Sequence, residues 1–123
     1  MTVTSALSRF APPIALMAAI FALSAQPDLN SGLGTADFIG RKAVHMAEFG
    51  LLWLLLLRAT GYRRPGVAAA IAVAYAASDE IHQLSVDGRH GTPVDVLVDA
   101  TGVAIAWALW RRLTPRASRA RWR

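Results

Sequence analysis

Three sets of ionisable and amide side chains fall on or beside helix ends, most of them at spacings of three or four. Lys42, His45 and Glu48 step by three, which spreads them over about 120° of helical arc. Asp79 and Gln83 stack at i, i+4, flanked by Glu80 and His82, and Asp95 and Asp99 repeat the same step. A histidine among carboxylates is equipment for proton transfer, so His45, Glu48, Asp79 and Glu80 are the candidate acid/base groups. Arg41, Lys42, Gln83, Arg89 and Asp99 are the candidate ligand-binding groups; a guanidinium fork such as that of Arg89 suits phosphate. Other chemistries have less support. The chain has no cysteine, which excludes disulfides and thiolate metal sites. The order H-x-x-E at His45–Glu48 is not the H-E-x-x-H of zinc enzymes, and neither a metal nor a cofactor is expected. Ser78 and Ser85 lack an evident base to activate them, which argues against nucleophilic catalysis.

These groups need helices to hold them, and the hydrophobic pattern supplies four. Apolar stretches cover about residues 10–25, 38–58, 65–84 and 93–112, in a chain of 123 residues that is 54% hydrophobic. The last three stretches have the ~20 residues that cross a bilayer core of about 30 Å. The first is shorter, and Ala22, Ser24 and Ala25 give it a rival reading as a secretory signal with its cleavage site. Retention is preferred because Pro12 and Pro13 suit the first turn of a helix. Asp37 is expected to cap the second helix, and Pro65 to sit in the first turn of the third. Thr92, Pro93 and Asp95 look like cap, first and third positions of the fourth helix, a capping box. Gly102 and Ala106 leave room for a neighbouring helix, as does the alanine-rich run before Tyr75.

Charge fixes the orientation. Ten arginines lie in the N-terminus, around the turn between the second and third stretches, and from Arg111 through the basic tail 113–123, with no acid among them. All eight carboxylates and all three histidines lie in the other two connections and the helix halves beside them, with Arg41, Lys42 and Arg89. Positive residues favour the cytoplasmic side. The chain therefore reads as all-α: a single domain over 1–123, an integral membrane bundle of four transmembrane helices with both termini cytoplasmic. Its lipid-bilayer setting also accounts for the net charge of +5, so no nucleic-acid partner is expected. Tyr62, Trp107, Trp110 and Trp122 fall near the inner interface, where amphipathic rings settle.

The polar groups lie below the headgroups; His45 is about 10 Å into its helix at 1.5 Å per residue. They should converge, because an isolated charge at that depth is costly. Asp95 reads first as a cap, as does Asp37, and His82 is as well explained by snorkelling to the interface as by a site. The remaining cluster has three readings: a binding or catalytic site, which is preferred, a polar lock between helices, or a small proton or ion pathway.

The motifs at this point resemble those of the VanZ-like family of membrane proteins, associated with resistance to teicoplanin and related glycopeptide antibiotics. Ser24-Ala25-Gln26-Pro27 closes the first helix. Arg41 to Phe49 is similar to the family's R-K-x-x-H-x-x-E-[FY]. Asp79-Glu80-Ile81-His82-Gln83, Gly88-Arg89, and Asp95 to Gly102 follow its D-E-x-x-Q, G-R and D-x-x-x-D/N-x-x-G. Val86-Asp87 stands where a proline often precedes the glycine. The resemblance implies a multi-pass protein of the bacterial cell membrane; the hypothesis for its outward polar pocket, read from the residues, is that it binds or modifies an anionic headgroup of an envelope lipid or cell-wall precursor. The resemblance names no reaction, so whether the chain is an enzyme stays open, as does its oligomeric state.

Overall fold

The computed structural model describes residues 2–25, 34–86 and 92–121. These form α1 (Val3–Ser24), α2 (Thr35–Ala59), α3 (Pro65–Gln83), α4 (Pro93–Leu113) and a short α5 (Arg116–Ala120). Among the described residues there is no strand. α2 is the hub. It packs most extensively on α4 and also touches α1 and α3, whereas α1 and α4 do not meet.

The α2–α4 crossing is set by two glycines. A Cβ on Gly102 would stand 2.2 Å from the Met46 carbonyl oxygen and 2.7 Å from its Cα, so only a hydrogen fits there. On the facing helix, a Cβ on Gly50 would come within 3.1 Å of the Gly102 carbonyl oxygen. Small residues permit this backbone approach, as expected of Gly102 and Ala106. Beyond the crossing, Trp53 is fully buried and meets Trp107 at 5.9 Å and Trp110 edge-on at 6.1 Å. The Trp53 indole N–H donates to the Pro65 carbonyl oxygen at 3.1 Å, which ties the start of α3 to the same cluster. Trp107 and Trp110 are therefore core partners of Trp53 as well as half-exposed rings near a helix end. Trp122 lies outside the described residues.

On α3, Ala68, Ala72 and Ala76 are fully buried at four-residue spacing. The same face runs on through Asp79, Glu80 and Gln83, so the helix period itself turns those polar groups inward. The turn into α3 is a Schellman closure. Gly61, at φ 66°, donates to the Arg58 carbonyl oxygen, and Tyr62 donates to that of Leu57. A left-handed residue is required at that step, and glycine adopts it without strain.

Two expectations about helix starts are corrected. α1 begins at Val3 rather than near Phe10, capped by the Thr2 hydroxyl, which accepts from the Ser5 N–H. Pro12 and Pro13 therefore lie inside the helix. Pro12 lacks the N–H that would bond the Ser8 carbonyl oxygen. The Arg58 guanidinium, at the far end of α2, donates to that oxygen instead at 3.0 Å. α2 begins at Thr35 with Gly34 at the cap position, so Asp37 is a first-turn residue and not the cap. Its carboxylate still favours the positive helix end, and it pairs with Arg41 at 2.5 Å. α3 and the Thr92–Pro93 start of α4 fall as expected; Thr92 accepts from the Asp95 N–H at 3.3 Å.

By length and composition, α1 and α4 are apolar enough to cross a membrane. α2 and α3 carry charges inside their spans, which keep them from passing the same test. All four helices nevertheless present large apolar side chains outward, among them Phe10 and Ile14, Leu51 and Leu54, Val67 and Ile71, and Ile105 and Leu109.

Gly102→Ala should lower thermal stability in detergent by about 1–3 kcal/mol, since backbone must move to admit the methyl. The same change at exposed Gly66, whose added Cβ would meet nothing within 4 Å, should not destabilise. Equal melting of the Gly102→Ala variant and the wild type would contradict the crossing described.

Candidate functional site

The α2–α4 crossing brings the N-terminal halves of the two helices together, and α3 ends against them. At this junction lies a cavity of about 580 Å³. Its polar wall is Arg41, Lys42, His45, Glu80, Gln83, Thr92, Asp95 and Asp99, and Phe38, Val94 and Val98 supply the apolar part. Six of the nine candidate site residues thus line one cavity. Glu48 and Asp79 do not. Arg89 lies outside the described residues, together with Asp87, Gly88 and His90.

The charges are arranged in pairs. Lys42 forms an ion pair with Asp95 across the α2–α4 seam, and its ammonium also stands 5.3 Å from the centre of the Phe38 ring. Arg41 is held by Asp37 one turn back on its own helix. His45 Nδ1 stands 3.5 Å from Asp99 Oδ1, a close ionic approach without the alignment of a hydrogen bond. Asp99 is 1% exposed and Glu80 5%. The Glu80 Oε2 and Asp99 Oδ2 atoms are buried with no hydrogen-bond partner among the described residues. The cavity therefore combines two cations already engaged by carboxylates with two buried carboxylates that keep acceptor capacity, and His45 between them.

Asp79 belongs to a different device. Its Oδ2 accepts from the Ser24 hydroxyl at 2.8 Å and from the Gln83 amide at 3.1 Å. Ser24 is on the last turn of α1, so this buried trio fastens α1 to α3. Tyr75 adds a second tie through its hydroxyl, which donates to the Met17 carbonyl oxygen. His82 stacks on Phe21 of α1, with ring centres 4.1 Å apart, and does not face the cavity. Glu48, half-buried, stays within electrostatic range of His45, Asp79 and Asp99 without reaching the cavity wall. Asp95 serves twice. It receives the Thr92 hydroxyl at 2.9 Å in the cap of α4 and pairs with Lys42.

Ser24, expected only as the close of the first helix, takes part in the polar network as the partner of Asp79. Its signal was present: a hydroxyl on the final turn of an apolar helix, at the end where every carboxylate lies. Thr92 was seen only as a cap, although it also lines the cavity.

The division between lock and cavity has a measurable consequence. Asp79→Ala removes the acceptor of two buried hydrogen bonds and should cost about 2–4 kcal/mol in thermal unfolding. Ser24→Ala should cost about 1–3 kcal/mol by leaving the carboxylate short of a donor. Glu80→Gln, which keeps size and replaces one acceptor, should cost under about 1 kcal/mol. Greater destabilisation from Glu80→Gln than from Asp79→Ala would reverse the assignment.

Neither a curated protein nor a solved structure matches the chain. A family model described as VanZ/LLP1 matches residues 4–114, from the first turn of α1 to the end of α4. Nearly the whole fold, including every described site residue, lies within that match, and the chain belongs to the VanZ/LLP1 family.

Proposed function

We propose that this chain is a multi-pass protein of the bacterial cell membrane, with four spanning helices and both termini in the cytoplasm, whose cavity binds the headgroup of an envelope lipid or cell-wall precursor from the outer face. Outward rows of apolar side chains on all four helices support the spanning reading, because water would not favour such a surface. The segregation of arginines to the opposite end supports the orientation.

The observation that carries the functional reading is the buried pair Glu80 and Asp99, each with an oxygen that has no partner among the described residues, on the wall of a 580 Å³ cavity. Helix packing alone leaves that acceptor capacity unused, and leaving it so is costly in an apolar setting. A ligand that brings hydroxyl, amide or ammonium donors would satisfy it. The engaged state of Lys42 and Arg41 refines the expected preference for an anion. A phosphate must compete with Asp95 or Asp37 for them, or be met by Arg89. The best ligand is therefore a phosphate-bearing headgroup that also carries donors. His45, beside Asp99 and on the cavity wall, is placed to move a proton during binding or modification, with Glu80 as its counterpart. The polar-lock reading holds for Asp79, Gln83 and Ser24, whose hydrogen bonds are made within the bundle.

Expression of this chain in a sensitive Gram-positive host should change susceptibility to lipid-bearing glycopeptides, as the family's association suggests. Glu80→Gln and Asp99→Asn should each abolish the change while membrane levels stay normal. Arg89→Lys should retain part of it, since an ammonium keeps the charge and loses the bidentate fork. A well-expressed wild type that leaves susceptibility unaltered would remove the resistance role. Full activity of both carboxamide variants would remove the cavity as its site.

A further inference from the structure

We propose a second binding site at the opposite end of the bundle: a pocket for the phosphate of an anionic phospholipid of the inner leaflet. It rests on the membrane orientation proposed above and on none of the residues of the outer cavity. The turn between α2 and α3, the end of α4 and α5 together enclose about 560 Å³. Arg63, Arg64, Arg111 and Arg119 line this space, with Trp107 and Trp110 as its aromatic wall.

Positive-inside bias accounts for basic residues at this end but not for their convergence on a cavity. Pro115 turns the chain between α4 and α5, and α5 brings Arg119 to the same space as the α2–α3 turn. The Nε of Arg119 is buried with no hydrogen-bond partner among the described residues, so a donor in this wall still needs an acceptor. No described carboxylate is available to supply one. The acid nearest this end is Glu48, ten positions before Arg58 on α2. That separation is about 15 Å at 1.5 Å per residue. Four guanidinium groups with no neighbouring acid among the described residues create a positive potential that favours an external anion.

The α2–α3 turn that lines the pocket is held by hydrogen bonds. The Schellman closure at Gly61–Tyr62 fixes the turn, and the Trp53 indole holds the Pro65 carbonyl. Guanidinium forks match phosphate oxygens in pairs, and a preformed wall spends little ordering entropy on binding. The surroundings select a lipid over a soluble anion. Val67 on the first turn of α3 and Leu113 at the end of α4 are exposed apolar neighbours, suited to acyl chains that descend from a headgroup at this level. Basic pockets between helices on the cytoplasmic side take anionic headgroups in this way.

The test uses the full chain purified in non-ionic detergent, where both ends are open and orientation plays no part. Titration with mixed micelles of phosphatidylglycerol should raise the melting temperature saturably, and phosphatidylcholine should not. Each arginine removed should weaken the apparent affinity about fivefold, so Arg64→Gln/Arg111→Gln/Arg119→Gln should weaken it on the order of a hundredfold. Arg119→Gln alone, about fivefold weaker, serves if the triple variant does not fold. Arg112→Gln, on α4 but outside the pocket, should stay within about twofold of wild type. Unchanged affinity in the folded triple variant, or equal stabilisation by phosphatidylcholine, overturns the site. Equal stabilisation by inorganic phosphate at matched concentration overturns the lipid and leaves a free-anion site.

Discussion

The close crossing of α2 and α4 at Gly102 is the contact on which the rest of the bundle depends. It places the Met46 backbone where any side chain at position 102 would stand. Toward the N-terminal ends of these helices, that proximity lets Lys42 reach Asp95 and His45 approach Asp99. Toward the C-terminal ends, it lets Trp53 pack between Trp107 and Trp110 and hold the start of α3. One fulcrum thus serves a polar cavity at one end and an aromatic floor at the other. A wider crossing would loosen both.

Solvent decides how the polar end is organised. In the membrane setting proposed above, a carboxylate without a partner would be costly, which accounts for acids that turn inward and acquire donors or counter-charges. They do so in two ways. Asp79 receives Ser24 and Gln83 on one oxygen and so holds α1 to α3, while its other oxygen is buried without a partner among the described residues. Glu80 and Asp99 are buried as deeply and likewise keep one oxygen without a partner among the described residues, but they line the cavity. Position on the cavity wall, rather than burial or an unpartnered oxygen, separates the structural carboxylate from the two proposed to be functional. The arginine end is the converse, with cations gathered where no described acid completes them.

Much of this was legible in the sequence because two periodicities are strong. The 3.6-residue period placed α3, α4 and most of α2 within a few positions, and the cost of isolated charge at depth led Lys42, His45, Glu80 and Asp99 to be expected together. Gly102 and Ala106 announced the close approach, and Thr92-Pro93 announced the start of α4. The errors came where a local rule met a tertiary partner. Pro12 and Pro13 normally mark a helix start, but Arg58 supplies the lost hydrogen-bond partner of Ser8, and α1 continues back to Val3. Asp37 resembles a cap but is drawn to Arg41, with Gly34 at the cap position. Spacing grouped Asp79 with Glu80, yet adjacent residues differ by 100° around a helix and face different neighbours. The return of α5 beside the α2–α3 turn carries no periodic signal, so the gathering of Arg119 with Arg63 and Arg64 had to come from the structure.

Both proposed sites depend on which end of the bundle faces out. The chain contains no cysteine, so a single introduced thiol reports one position. Ser85, exposed just past α3, marks the acid end, and Ser118 in α5 marks the arginine end. On intact cells, an impermeant thiol reagent should label Ser85→Cys and leave Ser118→Cys unmodified until the membrane is opened. Labelling of Ser118→Cys alone would invert the bundle and place the polar cavity in the cytoplasm, contrary to this account.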